Sequence, residues 1–128
     1  MDQAKPKNIF IIDDDTMLTE ALKDYLTRKV AHQIKCFNTG EEGLKQLDEE
    51  PDVIILDYHL NTVQKDAANG MEILQAIKKH HRKIHILMLS SQERYGIALQ
   101  TIEKGAEQYV IKDEDAFEKI VEMIDAIS

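Results

Sequence analysis

Four short apolar runs in this 128-residue chain each deliver a residue that can act on a phosphoryl group. Ile9–Ile12 runs into Asp13 and Asp14, Val53–Leu56 into Asp57, Ile86–Leu89 into Ser90, and Tyr109–Ile111 into Lys112. Val- and Ile-rich runs of this length read as buried parallel strands. In an open α/β sheet, ligands sit beyond the carboxyl ends of the strands. As parallel neighbours, the four runs bring three carboxylates, a hydroxyl and an ammonium to one patch. Close carboxylates repel by ~4 kcal/mol per pair at intermediate dielectric, so a divalent cation, a cationic side chain or a proton must offset them. An oxygen-only donor set near phosphate suits Mg²⁺. Lys112 supplies a compact cation for carboxylate or phosphate oxygens, and Ser90 a hydroxyl donor. Taken singly, each residue has a plainer reading: an Asp after a strand as a helix N-cap, a strand-end Ser or Lys as solvated loop. Four strand ends with matching chemistry outweigh it.

The elements that must position these residues alternate strand and helix five times. Strand one (Ile9–Ile12) leads to a helix from about Thr16 to Val30, with an apolar face of Met17, Leu18, Ala21, Leu22, Tyr25 and Leu26 in the rhythm of an amphipathic helix. Strand two is a short stretch around Ile34, Cys36 and Phe37. Helix two opens on Thr39-Gly-Glu-Glu42, a capping-box pattern, and carries Leu44 and Leu47. Strand three follows Pro51 and Asp52, and helix three begins near Gly70 with Met71, Leu74 and Ile77. Strand four is Ile84–Leu89; helix four runs from about Gln92 to Lys104, with Gly105 at its end. Strand five is Tyr109–Ile111, and helix five, about Asp115 to Ile127, buries Phe117, Ile120, Val121, Ile124 and Ile127. Strict alternation implies a doubly wound parallel sheet with helices on both faces.

The length suits one domain, residues 1–128, with a single sizeable core. Its 43% hydrophobic and 31% charged residues describe a globular chain. The formal charge of −8 argues against a nucleic-acid partner. The single cysteine, Cys36, cannot form an internal disulfide and reads as a small buried hydrophobe. The opening residues, MDQAKPKN, lack the apolar stretch of a signal peptide, and the longest apolar runs, four residues, are too short for a bilayer. A cytoplasmic protein with no membrane partner is the expectation.

Ile-Ile-Asp-Asp-Asp15, Pro-Asp-Val-Ile-Ile-Leu-Asp57, Leu-Met-Leu-Ser-Ser91 and Gly-Ala-Glu-Gln-Tyr-Val-Ile-Lys112 resemble the signatures of two-component response-regulator receiver domains, in order and across Ile9 to Ile127. The resemblance implies a five-stranded parallel sheet in the flavodoxin-like order 2-1-3-4-5. It implies that Asp57 is a phosphoacceptor, attacking the phosphoryl group of a phosphohistidine on a sensor kinase or phosphotransfer protein. Such a domain is a signalling module that assists its own phosphorylation and dephosphorylation rather than a conventional enzyme. Asp14 would hold Mg²⁺ directly and Asp13 mainly through water, with Asp57 and the His59 carbonyl completing the protein ligands. Lys112, Ser90 and backbone amides at His59 and Ser91 would contact the phosphoryl oxygens. Tyr109 matches the family's switch aromatic. With phosphate bound, Ser90 would move toward it, and Tyr109 would turn from an exposed to a buried rotamer, altering the helix 4–strand 5–helix 5 face read by a downstream protein. The last helix ends with the sequence, which reads as a stand-alone regulator of the chemotaxis type.

The chain departs from the family pattern at three places. Asp113 follows Lys112 where the family usually has a proline joined by a cis peptide. A cis bond to a non-proline costs ~3 kcal/mol, so a trans loop is expected. Leu60-Asn61 replaces Met-Pro, and Asn61–Asn69 forms a long loop before Gly70, read as a tolerated insertion because added loop length costs little. His59 and Gln92 occupy positions that tune acyl-phosphate hydrolysis in the family. His80, His81 and His85 read as part of a solvated basic loop. A haloacid-dehalogenase-like phosphatase would need an Asp-x-Asp-x-Thr/Val nucleophile motif, which Asp13-Asp14-Asp15-Thr16-Met17 misses. A flavodoxin would need a Ser/Thr/Gly-rich phosphate loop where three acids stand. A receiver that has lost phosphate chemistry is disfavoured, since no expected acid, hydroxyl or lysine is missing.

Overall fold

The computed structural model describes residues 5–60, 66–91 and 95–127. Its strands are β1 (Asn8–Ile12), β2 (Gln33–Phe37), β3 (Val53–Asp57), β4 (His85–Ser90) and β5 (Gln108–Ile111). All pair in parallel, in the order 2-1-3-4-5. Between them lie α1 (Thr16–Leu26), α2 (Gly40–Leu44), a 3₁₀ turn (Leu47–Glu49), α3 (Gly70–His80) and α4 (Tyr95–Glu103); α5 (Ala116–Ala126) follows β5.

Side chains alternate across a strand, so each apolar run feeds two layers. Ile9, Ile11, Ile55, Leu87, Leu89 and Val110 face α1 and α5, where Leu22, Leu26, Ile120 and Ile124 close the core. Phe10, Ile12, Ile54, Leu56, Ile86 and Met88 face the other way, packing on Ile73, Leu74 and Ile77 of α3. All five residues of the central strand β3 are buried. Cys36 is half-buried against the α1/α5 layer.

Several helix limits differ from the sequence reading for local reasons. α1 stops at Leu26 rather than near Val30, because the Thr27 hydroxyl donates to the Lys23 and Asp24 carbonyls at its end. Met17 is 84% exposed and Ala21 is also exposed; the buried stripe is Thr19, Leu22 and Leu26. α2 is only one turn. A Cβ at Gly43 would strike the end of Ile12, so the helix lies close on the sheet at the cost of two glycines. β4 extends to Ser90, which pairs with Ile111 of β5. Within described residues α4 begins at Tyr95; residues 92–94, including Gln92, fall outside them. Gly105, at φ +114°, follows α4 in the left-handed region that glycine tolerates.

Candidate functional site

Backbone pairing carries the chemistry-bearing residues to one end of the sheet. The Asp13 amide donates to the Phe37 carbonyl at 3.1 Å, Tyr58 to Leu89 at 2.9 Å and Lys112 to Ser90 at 2.8 Å, so the strand ends stay in step past the ladder. The three acids after β1 divide the work. Asp13 turns inward, its Oδ1 accepting from the Asp15 amide at 2.9 Å, while Asp14 is half-buried. Asp15 is the cap of α1, accepting from the Leu18 amide at 3.1 Å.

Asp13 and Asp57 are 1% and 2% exposed and Ser90 is fully buried. One oxygen from each of Asp13, Asp14 and Asp57 lies within 4.8 Å of the others. The Lys112 ammonium reaches between them, 3.1 Å from Asp13 Oδ2 and 3.2 Å from Asp57 Oδ1. Those same two oxygens have no well-directed hydrogen bond among the described residues, so the contact is chiefly electrostatic. Buried carboxylate oxygens held by charge without a directed donor are the atoms a hard cation satisfies. The all-oxygen donor set fits a small divalent ion.

The electrostatics follow from burial. Loss of water pushes the Asp57 carboxyl up to about 7, the Asp13 carboxylate adds to the rise, and Lys112 and the His59 amide oppose it. Asp13 is likewise raised by burial, against the Asp15 amide and Lys112. For Lys112 burial alone would lower the pKa, but the combined fields of Asp57 and Asp13 raise it. Without metal or phosphate, Asp57 is therefore close to sharing a proton at neutral pH.

Asp113 is tied into the start of α5 by hydrogen bonds and an ion pair. Its Oδ1 accepts from the Asp115 amide at 2.9 Å and its Oδ2 lies 3.5 Å from the Lys119 ammonium, while its carbonyl accepts from Ala116 at the start of α5. No described peptide bond is cis, and Lys112 still enters the acid cluster.

Tyr109 is half-buried, leaning on the α3-side core, and shares a hydrogen bond with the Ser90 hydroxyl. Burial raises its phenol pKa, with the Ser90 bond opposing and Tyr58 adding to the rise. Any rotation of the ring thus starts from a position already engaged with Ser90. The His59 ring stands edge-on to Tyr58 at 4.9 Å, and Ser91 is exposed just past β4.

The long loop after β3 is fastened at both described ends. Leu60 is fully buried, the Glu41 carboxylate accepts from the Ala68 amide at 3.0 Å, and Asn69 with Glu72 makes a capping box for α3. Gly70 donates to the Tyr58 carbonyl at 2.9 Å, and a Cβ there would collide with the Asp57 carbonyl. Residues 61–65 of the loop lie outside the described residues. The Glu41 contact carries no sequence signal, since an acid in a first helical turn reads simply as favourable to the helix dipole. His85, read as solvated, pairs with Glu107 at 2.7 Å.

The model of the response regulator receiver domain family matches residues 9–125. The chain is 31% identical over 110 residues to the "Probable C4-dicarboxylate response regulator DctR" of Bacillus subtilis (strain 168), covering 84% of this chain and 46% of that protein. It thus spans less than half of that relative. Among solved structures, the BeF3-activated receiver domain of DrrB, a Thermotoga maritima protein, superposes with a TM-score of 0.81 at 26% identity, covering 95% of this chain and 97% of that one. A CheY-like receiver domain protein from Methanospirillum hungatei JF-1 gives 0.78 at 25% identity over 94% and 95% of the two chains.

Proposed function

The chain belongs to the response regulator receiver domain family, and we propose that it serves two-component signalling as a Mg²⁺-dependent phosphoacceptor with Asp57 as the acceptor residue. The observation that carries the reading is the buried Asp57 Oδ1, lacking a directed hydrogen bond and lying 3.2 Å from Lys112 beside two further acids. In the transfer, a carboxylate oxygen of Asp57 forms a bond to phosphorus as the phosphorus–nitrogen bond of a phosphohistidine breaks, and the departing imidazole takes up a proton. Asp57 must be ionised to attack, so its near-neutral pKa without metal makes cation binding part of the activation.

Asp13, Asp14 and Asp57, with the His59 carbonyl, would hold Mg²⁺, which when bound supplies charge neutralisation for the phosphoryl oxygens. Lys112 pairs with one of those oxygens after transfer, and Ser90 donates its hydroxyl to another. The amides of His59 and Ser91 complete the cradle. Turning the Ser90 hydroxyl toward phosphate takes it from Tyr109 and releases the phenol, which alters the surface formed by α4, β5 and α5. The proposed donors are a sensor histidine kinase or a histidine phosphotransfer protein, the proposed reader is a downstream protein, and the setting is the cytoplasm. Mass spectrometry after acetyl phosphate and Mg²⁺ tests the assignment. One added phosphoryl group is expected on the wild type and none on Asp57→Asn; equal labelling of both would move the acceptor elsewhere.

A further inference from the structure

At the opposite end of the sheet, where α1 and α5 finish and the chain enters β1 and β2, a cavity of about 510 Å³ opens. That is the size of many small-molecule sites, which combine an apolar lining with a few placed polar groups. Leu26 and Ile124, 5% and 1% exposed, and Val121 supply the apolar lining. Tyr25 adds an aromatic wall, braced by Phe117 at 5.5 Å and by the Arg28 guanidinium 5.2 Å over its ring.

The polar groups are unusual for so acidic a chain. Arg28, Lys29 and His32 line the cavity against a single acid, Asp125, in a protein of formal charge −8. Lys29 makes no ion pair among the described residues, and the Arg28–Asp24 pair is exposed on both sides, 64% and 71%, a setting in which an ion pair is easily exchanged. His32 is 9% exposed, and its Nδ1 accepts from the Lys7 amide at 3.0 Å. The neutral ring therefore carries its proton on Nε2, and no described residue accepts that proton.

We propose that this cavity binds a small amphipathic monocarboxylate, its tail on Leu26, Val121 and Ile124 and its carboxylate taken by Lys29, Arg28 and the Nε2–H of His32. The single surplus positive charge of the lining suits one negative charge. The ligand is a free small molecule; a peptide carboxyl terminus or a second copy of the chain is a competing occupant that the test separates.

Octanoate is the probe and 1-octanol its neutral match, each titrated into the whole chain and followed by amide NMR with sedimentation in parallel. Saturable shifts confined to residues 25–32 and 121–125 are expected, on a monomer, with octanoate favoured over octanol by about tenfold or more, as one charge-assisted contact allows. Arg28→Ala and Lys29→Ala, both at exposed positions, should each weaken octanoate by about three- to tenfold and leave octanol unchanged. The proposal fails if no saturation appears by about 10 mM octanoate, or if octanol binds as well. It also fails if the shifts lie at the acid cluster or follow dimerisation.

Discussion

Asp57 is held where water is scarce and a second acid is close, and together these push its carboxyl up to about 7. The folded value lies above the ordinary carboxylate value of 3.8, so the associated stability is fully present below 3.8 and is lost as pH rises through about 7. Melts of metal-free protein should show Asp57→Asn gaining on the wild type between pH 5 and 8, by about 2–3 kcal/mol over that span, since the wild type loses about 1.4 kcal/mol for each pH unit up to the folded value. Comparing the two proteins cancels His32, whose pKa is lowered chiefly by burial and whose effect runs the other way, stability falling as pH drops below 6.5. A difference that stays flat with pH would contradict this account of Asp57. Lys112→Ala removes the only ammonium contacting Asp13 and Asp57 among the described residues. It should cost ~1–3 kcal/mol at pH 8 and little at pH 5, less than a fully buried pair because Lys112 keeps some exposure. Mg²⁺ binding should survive in this variant, whereas phosphorylation or the response to it should be impaired.

Helix α5 starts on a loop that Asp113 ties down. The Asp113 carboxylate receives the Asp115 amide and faces Lys119, so Asp113→Ala should lower stability by about 0.5–1 kcal/mol in urea titrations, the scale of a lost cap. A neutral result would mean that the backbone bond from Ala116 to the Asp113 carbonyl suffices. Elements of this kind show what was legible beforehand. Strands β1, β3 and β4 announced themselves as apolar runs ending in polar residues, because a strand buried on both faces leaves no room for polar interruptions; the edge strand β5, buried only at Val110, offered a shorter run. The stripe of α1 was harder: Met17 and Ala21 are apolar and helically spaced, yet only the packing of Leu22 and Leu26 on the sheet decides which way the helix rolls. α2 looked longer because Leu44 and Leu47 suit one helix, whereas Leu47 opens a separate 3₁₀ turn. The Ser90–Tyr109 bond, the Glu41 tie to the long loop and the His32 cavity depend on side chains distant in sequence, so no local pattern foretold them.

For the molecule as a whole, the proposed switch is limited by the strength of its contacts. Reversing a two-state population from 1:99 to 99:1 takes about 5.5 kcal/mol of differential interaction. A hydrogen bond to a charged group contributes about 1.5–3 kcal/mol. Ser90 gives up Tyr109 to make its new bond, so its net share is smaller still, and Lys112 must add to it. With beryllofluoride and Mg²⁺, amide shifts should spread from Asp57 through Ser90 and Tyr109 into α4, and Ser90→Ala should shrink the distant part. Changes confined to the neighbourhood of Asp57 would mean that the chain accepts phosphate without relaying it along this route.

The complete enclosure of β3 implies a division of timescales. Its five residues are buried on both sides and bonded to β1 and β4, so their amides should exchange with deuterium only when the whole domain opens. α4 carries Leu99 at 55% and Ile102 at 44% exposure, and its amides should exchange through local opening, orders of magnitude sooner. On the proposed function the acceptor would thus lie on the strand that opens last and its readout on a helix that opens locally, so that a change at Asp57 would bias α4 without loosening the strand that carries it.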